Sequence, residues 1–586
     1  MQARKWISWS LAILPTLVGI FCILLALLPY GILKPFADSL MRDGNFNSLK
    51  PWNAAVFKVL LGSGGLIFLA MAVLTGLQRW NILGLFFKRL QTDAGTFFAD
   101  HHPRKDELGF LAVLLVIMVL AVVARLEYIT SSLHHDEAYS YVAFAHSFFS
   151  AITDYHLPNN HVFHSILVYI STTIFGIQPW AVRLPAFTAG VLLVPAIYWL
   201  AKRLYDRWTA LGAALLVAWW PTLIYYSNNA RGYTLVALFT LLTLTLGSIV
   251  LKEKNLFAWV LIGLFSALGL YTIPVMLFPF GMLFVWILMS NQVEGPGPYR
   301  SKKDFLKYWV AAGLGTAALT MILYTPILIY TGWQKVFENG FVAPLPWRDL
   351  LPTLSQRFVE TWAEWTNRVP VFIGILIAVG WTLSLVFHRR LSSTLVPLQL
   401  AVLLWGATLI LIQRMNAWAK VWLFLLPLLL MWAVVGIIGF LVKIRLIFLL
   451  NLPLAALFIG LGLSARILFT VRLVPELPSI WADQGPEEKA VVFIQRQLQE
   501  GDLIIIDSPD DAPVWYYSKL HNIPDSRFNL RIGASGRYLV LVDPGEGQTP
   551  ASVIAARGPS SSILDAQACV LMQSFGKMQI FDCPQK

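Results

Sequence analysis

Long apolar runs separated by short polar segments make up most of the chain. A helix needs about 20 apolar residues to cross the roughly 30 Å of bilayer hydrocarbon, where the backbone can satisfy its hydrogen bonds only within a helix or a closed barrel. The runs lack the alternation of apolar and polar residues that is typical of the strands of a membrane barrel. We therefore predict a polytopic α-helical membrane protein with about thirteen transmembrane helices, approximately at residues 6–30, 55–79, 109–126, 180–201, 209–225, 233–251, 256–274, 276–290, 308–330, 369–387, 393–412, 421–441 and 446–471.

The loop at residues 126–179 contains two further apolar stretches, residues 136–150 and 160–176. Both must lie on one side of the membrane if the later loops are to alternate between its two faces. We predict that they form amphipathic helices on the outer surface of the bilayer. The same loop has no Lys or Arg but holds six of the ten histidines, a composition that indicates a special environment.

The pattern changes after residue 471. PEEKAVVFIQRQLQEG and APVWYYSKL have the pattern of helices, and DLIIIDSP and RYLVLVDP that of buried strands. They predict a small extracytoplasmic α/β domain over residues 472–586. The rest of the chain divides into an N-terminal extension of two helices with a cytoplasmic linker, residues 1–108, and a transmembrane core, residues 109–471.

The composition excludes an ordinary soluble domain. Hydrophobic residues make up 57% of the chain, charged residues only 13%, and the mean hydropathy is +0.65. The basic N-terminal segment continues into an apolar stretch longer than that of a signal peptide and has no small-residue cleavage pattern. We therefore predict that it is retained as a helix.

The net charge of +12 could indicate a nucleic-acid-binding protein, but the positions of the cations argue otherwise. Lys and Arg are concentrated in alternate short loops, which predicts a cytoplasmic N-terminus and an extracytoplasmic loop 126–179. GxGxxG and GxxxxGK[ST] motifs are absent from the sequence, so we expect no nucleotide site. Cys22 lies in the first predicted span, whereas Cys569 and Cys583 form either a disulfide or two free thiols.

Polar side chains gather in four segments at the outer ends of predicted spans: SSLHHDEAYSY (131–141), YHLPNNHVFHSIL (155–167), IYYSNNARGY (224–233) and QRMNAWAKVWLFLLP (413–427). In the first segment, Asp136 and Glu137 stand at a predicted helix start. One interpretation is that they cap this helix at the water interface. The other is that Asp136 acts as a general base or a substrate clamp in a cavity that opens at the outer leaflet.

The second segment places four polar side chains at the start of a predicted surface helix: Asn159, Asn160, His161 and His164. The spacing of His161 and His164 puts them on one helical face, where they could bind a divalent metal with Asp136 or Glu137 as a third ligand. Histidines at a membrane interface more often serve as hydrogen-bonding groups. We therefore favour hydrogen bonding for these two histidines and predict no certain cofactor, with a divalent metal as the alternative.

The third and fourth segments carry cations on the side where the charge bias predicts few of them. Arg231 lies among aromatic residues that include Tyr226 and Tyr233, and it is either an interfacial anchor or a clamp for phosphate oxygens. Arg414 and Lys420 either extend their charges to the interface as anchors or face an anionic group on the outer side.

Together, HHDEAYSY, the LPNNH helix start, RLP (183–185), IYYSNNARGY and KVWLFLLP resemble glycosyltransferase family 39 and its relatives. These include protein O-mannosyltransferases and the aminoarabinose transferases of lipid A, which have the multi-helix GT-C fold. The likeness covers residues 109–471. The chain departs from the family pattern at Val162, where members often have Pro, and at Lys420, where they have Arg.

The resemblance implies an enzyme of the cell (inner) membrane that moves one sugar from a polyprenyl-phosphate donor to a lipid, polysaccharide or protein acceptor, with inversion and on the outer face. Asp136 matches the family's catalytic acid, with Glu137 beside it. The substrate-binding residues would be Asn160, His161, His164, Tyr226, Arg231, Tyr233, Arg414 and Lys420. The competing hypothesis is a lipid or sugar transporter or flippase without covalent chemistry. It expects charged groups near the middle of the membrane, whereas here they lie at the ends of spans.

Overall fold

Helices make up most of the protein. The computed structural model describes residues 2–40, 51–76, 81–102, 104–337, 344–415, 417–444, 485–528, 536–558 and 564–585. The α-helices, numbered in chain order, are α1 (Gln2–Leu27), α2 (Tyr30–Leu40), α3 (Pro51–Gly76), α4 (Asn81–Asp100), α5 (Leu108–Leu126), α6 (His135–Tyr139), α7 (Phe148–Thr153), α8 (Val162–Phe175), α9 (Pro179–Leu204), α10 (Arg207–Trp219), α11 (Pro221–Ser227), α12 (Tyr233–Lys252), α13 (Leu256–Thr272), α14 (Leu277–Glu294), α15 (Lys302–Tyr330), α16 (Trp333–Phe337), α17 (Trp347–Trp365), α18 (Val371–Leu391), α19 (Leu398–Gln413), α20 (Leu426–Lys443), α21 (Pro486–Gln497), α22 (Asp511–Leu520) and α23 (Pro550–Arg557). Short 3₁₀ segments are Lys105–Glu107, Pro274–Met276, Ala419–Leu425, Asp525–Phe528 and Pro544–Glu546, and Ser140–Ala145 is π-helical.

Several of these helices are long and apolar enough to cross a membrane. Within the described ranges there are seven: Lys105–Leu126, Pro179–Leu204, Tyr233–Lys252, Pro274–Glu294, Lys302–Tyr330, Val371–Leu391 and Ala419–Lys443. The bent pair α10 and α11 makes an eighth if it counts as one span. All eight coincide with predicted spans. The protein is therefore a multi-pass helical membrane protein, as predicted.

The predicted number of about thirteen spans is not confirmed. Four further predicted spans fall on α1, α3, α13 and α19, whose apolar stretches are shorter: Pro15–Leu27, Phe57–Ala70, Leu256–Thr272 and Leu398–Gln413. The predicted span at residues 446–471 and the domain boundary after residue 471 lie outside the described residues.

The predicted span 209–225 is broken between α10 and α11, which meet at an angle of 61°. Pro221 begins α11 and has no N–H to continue the hydrogen bonds of α10. Arg125, at the end of α5, compensates by donating to the carbonyl oxygens of Val217 at 3.2 Å and Ala218 at 2.8 Å. Its Nε also donates to Ser227 Oγ at 3.0 Å. Arg125 therefore ties α5 to both sides of the break.

The segment between α5 and α9, residues 127–178 and hereafter the α5–α9 loop, consists of short helices. The predicted helix at 136–150 is divided into α6, the π-helical turn and α7, and Ser147 caps α7 by accepting a hydrogen bond from the Ser150 N–H at 3.2 Å. The predicted helix at 160–176 is α8. It ends at Gly176, whose φ of 80° suits glycine.

The C-terminal segment contains a four-stranded mixed sheet in the order β1-β2-β4-β3, with strands β1 (Leu503–Ile505), β2 (Tyr538–Val542), β3 (Val570–Phe575) and β4 (Met578–Cys583). β1 and β2 run parallel, and the other pairs are antiparallel. The prediction of a small α/β domain is therefore confirmed, with both predicted strands fully buried. The β3–β4 hairpin was not predicted, because β3 is largely exposed. A disulfide between Cys569 and Cys583 closes this hairpin.

Candidate active site

Asp136 lies in the first turn of α6. Its Oδ2 atom is 3.5 Å from Arg231 Nη1 and 3.3 Å from Lys420 Nζ. Lys420 is 284 residues away in the chain. The Asp136 side chain is 41% exposed, so a substrate can reach it. The fold thus brings together one residue from each of three polar segments that the sequence analysis singled out.

The charges around Asp136 keep it ionised. Partial burial alone would raise the pKa of its carboxyl, but the positive charges of Arg231 and Lys420 lower the pKa below its ordinary value. His135, the preceding residue, acts in the same direction. At neutral pH the site therefore presents a carboxylate that can accept a proton or hydrogen bonds.

Arg231 is nearly buried, with 3% of its side chain exposed. Its donors make long contacts: Nη1 lies 3.3 Å from the carbonyl oxygen of Asp136, and Nη2 lies 3.4 Å from Asn159 Oδ1. Its Nε is buried and has no hydrogen-bond partner among the described residues. The guanidinium also lies 5.9 Å from the centre of the Tyr233 ring. A buried guanidinium with such long contacts has donors left for an anionic ligand.

His161 presents a second donor beside Arg231. The Gly232 N–H donates to His161 Nδ1 at 2.8 Å. Burial, with a contribution from the Arg231 charge, keeps the pKa of His161 well below its ordinary value, so the ring is neutral. A neutral ring that accepts at Nδ1 carries its proton on Nε2, which lies 3.2 Å from Arg231 Nη2. Two donors face each other here, and an anionic oxygen is the group that both could bind.

The two cations of the fourth segment lie in different surroundings. Lys420 is in the 3₁₀ segment before α20, and 38% of its side chain is exposed beside Asp136. Arg414 ends α19 in a left-handed conformation with φ of 50°. Its guanidinium lies 5.7 Å from the centre of the Trp347 ring, and its carbonyl oxygen accepts from the Leu345 N–H at 2.8 Å. The structure therefore places Lys420 at the carboxylate and Arg414 at the start of α17.

Glu137 is fully buried and accepts four hydrogen bonds. Its Oε1 accepts from Arg183 Nε at 2.8 Å and from the Ala230 N–H at 2.7 Å. Its Oε2 accepts from Arg183 Nη2 at 2.8 Å and from the His134 N–H at 3.1 Å. Burial alone would raise the pKa of Glu137, but the Arg183 charge and hydrogen bonds lower it. Glu137 therefore joins the start of α6 to α9 and to the residue before Arg231.

Arg183 extends this network along the α5–α9 loop. It donates to the carbonyl oxygens of Ile129 at 3.2 Å, Ser131 at 2.5 Å and Ser132 at 2.9 Å. These bonds hold the segment that leads into Asp136.

Asn160 and His164 are buried within the α5–α9 loop. The amide of Asn160 donates to the carbonyl oxygens of Ala151 at 2.9 Å and Asp154 at 2.7 Å and accepts from Ser165 Oγ at 2.8 Å. Burial, helped by the Arg231 charge, lowers the pKa of His164 to about 3, so its ring is neutral.

A metal centre was an alternative for the two histidines of the second segment, with Asp136 or Glu137 as third ligand. In the described part of the chain, no three His, Cys, Asp or Glu side chains are arranged to hold a metal ion. Among these described residues, neither Asp136 nor Glu137 completes a three-ligand set with His161 and His164.

Aromatic rings connect His161 to a further acid. The centre of the Tyr233 ring lies 5.0 Å from that of His161 and 5.7 Å from that of Tyr226. The Tyr226 hydroxyl donates to Glu364 Oε1 at 2.7 Å. Glu364 lies in the last turn of α17, outside the four polar segments, and was not among the predicted site residues. The only signal for it was an acid a few residues before a predicted span.

Comparisons with known proteins bear on the class of this protein. Residues 161–329 match the family model described as dolichyl-phosphate-mannose-protein mannosyltransferase. The sequence has no significant match to a curated protein. The structure is similar to that of ArnT from Cupriavidus metallidurans in the apo state, with 11% sequence identity and a TM-score of 0.51, over 81% of this chain and 97% of that chain.

Two further solved structures are more distantly similar. ArnT from the same organism bound to undecaprenyl phosphate has 12% identity and a TM-score of 0.45, over 81% of this chain and 97% of that chain. The Archaeoglobus fulgidus oligosaccharyltransferase in complex with Zn and sulfate has 13% identity and a TM-score of 0.47, over 75% of this chain and 69% of that chain.

The class that these findings support is narrower than the whole chain: residues 161–329 are similar to membrane glycosyltransferases of the dolichyl-phosphate-mannose-protein mannosyltransferase family. The predicted family resemblance is confirmed over residues 161–329. The similarity to apo ArnT shows that the two proteins share a fold.

Proposed function

We propose that the protein transfers one sugar from a polyprenyl-phosphate donor to an acceptor hydroxyl, with inversion at the anomeric carbon. The observation that carries this proposal is the meeting of Asp136, Arg231 and Lys420 at one partly exposed site. A carboxylate beside two cations suits a reaction that removes a proton from one group and releases a phosphate from another.

The proposed step is a single displacement. The acceptor oxygen bonds to the anomeric carbon while the bond from that carbon to the phosphate oxygen breaks. The acceptor proton passes to the Asp136 carboxylate, and the electron pair of the broken bond stays on the phosphate. The anomeric carbon gains oxocarbenium character in this step. A base that removes the acceptor proton during the attack contributes about 10²- to 10⁴-fold to the rate.

We propose that Arg231, His161 and Lys420 bind the phosphate. The facing donors of Arg231 and His161 support this, since both suit an oxygen that gains negative charge as the bond breaks. Lys420 is exposed enough to contact a ligand and Asp136 together. The rings of Tyr226 and Tyr233 pack beside these donors and stay predicted substrate contacts.

Glu137 has a different role in this proposal. Full burial and four hydrogen bonds support a residue that positions Asp136 and Arg231 rather than one that reacts. Asn160 is proposed to hold the loop that leads into His161 through its bonds to Ala151 and Asp154, and His164 stays a predicted substrate contact. Arg414 stays a predicted phosphate contact, although its described contacts are with α17.

We propose that the site opens at the extracytoplasmic face of the cell (inner) membrane, with the thirteen spans predicted from the sequence. The distribution of Lys and Arg supports this orientation. The disulfide of the C-terminal domain agrees with it, since disulfides persist in oxidising compartments. The domain also contacts the α5–α9 loop, so both lie on one side. The acceptor is a lipid, a polysaccharide or a protein of that compartment.

The direct test is transfer by the purified full-length protein in lipid nanodiscs. Undecaprenyl phosphates carrying different labelled sugars are supplied with envelope lipid, polysaccharide and protein fractions. We expect label to enter one fraction as free undecaprenyl phosphate is released. Movement of the labelled donor across proteoliposome membranes without a covalent product would instead support a transporter.

Substitution of Lys420 by Met tests the electrostatics of the base. Asp136 must be ionised to accept a proton, so transfer is lost as the pH falls through its pKa. Because the Lys420 charge lowers that pKa, we expect the acidic limb of the kcat/KM profile to move to higher pH in Lys420→Met. The KM for the donor should also rise.

The control for this substitution is Arg348→Met, which removes an exposed cation 3.6 Å from Asp349. Its pH profile should match that of the unsubstituted protein. An acidic limb that stays in place, or moves to lower pH, in Lys420→Met would show that Lys420 does not act on the base.

A further inference from the structure

The C-terminal domain shares a hydrophobic core with the α5–α9 loop. One continuous cluster of buried side chains contains residues of the loop (Leu133, Ala138, Tyr141, Val142 and Ala145) and residues of the domain (Val491, Ile494, Ala512, Val514, Tyr516 and Tyr517). The rings of Tyr141 and Tyr516 meet edge to face, with their centres 5.5 Å apart. Burial of this kind stabilises contact between the two parts of the chain, so the domain is attached to the loop.

Polar contacts from the domain reach Leu133 and His135, just before Asp136 in the chain. The Leu133 N–H donates to the Tyr517 hydroxyl at 3.1 Å. His135 Nδ1 donates to the Pro509 carbonyl oxygen at 2.6 Å and lies 3.5 Å from Asp511 Oδ1. From the transmembrane core, Arg183 donates to the Ser132 carbonyl oxygen and to Glu137, whose carboxylate accepts from the His134 N–H.

The residues that lead into Asp136 are therefore held partly by the transmembrane core and partly by the C-terminal domain. Arg183 holds the carbonyl oxygens of Ser131 and Ser132, and Tyr517 holds the N–H of Leu133. Asp511 and Pro509 hold His135, which immediately precedes Asp136. The Asp136 carboxylate instead points to Arg231 and Lys420.

We propose that the C-terminal domain completes the active site, with Tyr517 and Asp511 as positioning residues for Asp136. The proposal rests on the proposed function of Asp136 as the base. Loss of either contact lets the first turn of α6 shift relative to Arg231 and Lys420. A shift of about 1 Å in a reacting group can lower the rate by up to 10²-fold.

Two adjacent tyrosines give a matched test. Tyr516 and Tyr517 are both fully buried on α22. The Tyr516 hydroxyl donates to the Ile177 carbonyl oxygen, at the far end of the loop from Asp136. Tyr517→Phe and Tyr516→Phe therefore each remove one hydroxyl and one backbone hydrogen bond while keeping the ring. Only the first removes a bond beside the base.

We expect kcat of sugar transfer to fall about 10-fold or more in Tyr517→Phe with the donor KM unchanged, because the phosphate-binding side chains are untouched. Tyr516→Phe should lower the melting temperature comparably and leave kcat within about 2-fold. Asp511→Ala should lower kcat like Tyr517→Phe, and Asp511→Asn, which keeps an oxygen facing His135, should restore most of it. Equal effects of the two tyrosine variants on kcat would overturn the proposal.

Amide hydrogen exchange separates this proposal from the proposed function, because it needs no activity. In Tyr517→Phe, exchange across residues 131–137 should become faster, whereas in Tyr516→Phe it should not. If the unsubstituted protein transfers no sugar, the proposed function fails while the exchange result still decides whether Tyr517 holds the loop. Unchanged exchange in Tyr517→Phe would overturn the positioning role.

Discussion

Replacement of Asp136 by Asn is expected to lower kcat of sugar transfer by about 10²- to 10⁴-fold, the usual contribution of a general base. Asn has nearly the same shape but cannot take the proton of the acceptor hydroxyl. The side chain is partly exposed, so its charge contributes little to folding, and the variant should melt near the temperature of the unsubstituted protein. The measurement is the initial rate of transfer at saturating donor.

The donor KM gives a second readout in this variant. Asp136 neutralises part of the charge of Arg231 and Lys420, and Asn does not. We therefore expect the donor, whose phosphate is an anion, to bind as tightly or more tightly. A lower kcat without a higher KM indicates an interaction that is used in the transition state.

Asp349→Asn is the matched control. Asp349 also lies in the first turn of a helix beside an arginine, 3.6 Å from Arg348 Nε, but in α17. It should leave kcat unchanged. Full activity in Asp136→Asn would reject the base assigned here, and an equal loss in both variants would indicate a general effect of lost acids.

Substitution of Glu137 by Ala is expected to destabilise the protein by about 3–5 kcal/mol, since it leaves the Arg183 charge buried without its partner. Both side chains are almost fully buried, at 0% and 1% exposure. The Ala230 and His134 N–H groups lose their acceptor as well. The measurement is thermal unfolding in detergent, with the fall in melting temperature compared between variants.

The ion pair of Glu137 and Arg183 should also make the stability of the folded protein depend on pH. The pKa of Glu137 is lowered in the folded protein, so the pair stabilises the fold above the ordinary pKa of glutamate. That contribution is lost as the pH falls through the lowered pKa. Glu137→Ala should lack this acid-dependent loss.

The control for Glu137 is Asp106→Ala, which removes one partner of an exposed ion pair with Arg207. Such pairs contribute about 0–1 kcal/mol. If Glu137→Ala melts no lower than Asp106→Ala, the buried pair does not hold the loop, and the positioning role proposed for Glu137 is wrong.

The sequence identified Asp136, Arg231 and Lys420 because each departs from what the ends of apolar spans usually show. A pair of acids directly after a span is unusual. Cations are also unusual on the outer side of the membrane, where the charge bias predicts few Lys and Arg. Their mutual distances could not be predicted, since 95 and 284 residues separate the two cations from Asp136. Only tertiary packing sets those distances.

Other residues that shape the fold gave a weaker signal in the sequence. Arg125 follows an apolar run, where an arginine is usually an interfacial anchor, and its burial depends on the broken helix that it supports. Pro221 was the signal for that break, but the apolar pattern continues across it. The role of Glu137 depends on Arg183, which the sequence shows as a cation at the start of a span and as part of the RLP motif (183–185), without indicating its partner.

The sheet order of the C-terminal domain has a consequence for biogenesis. β4 lies between β2 and β3, so the sheet cannot assemble before residues 578–583 have been made. A ribosome delivers the α5–α9 loop long before that strand, and domains generally fold as units. If the folded domain positions Asp136 as proposed, a nascent chain should reach its full transfer rate only after this last strand has joined its neighbours.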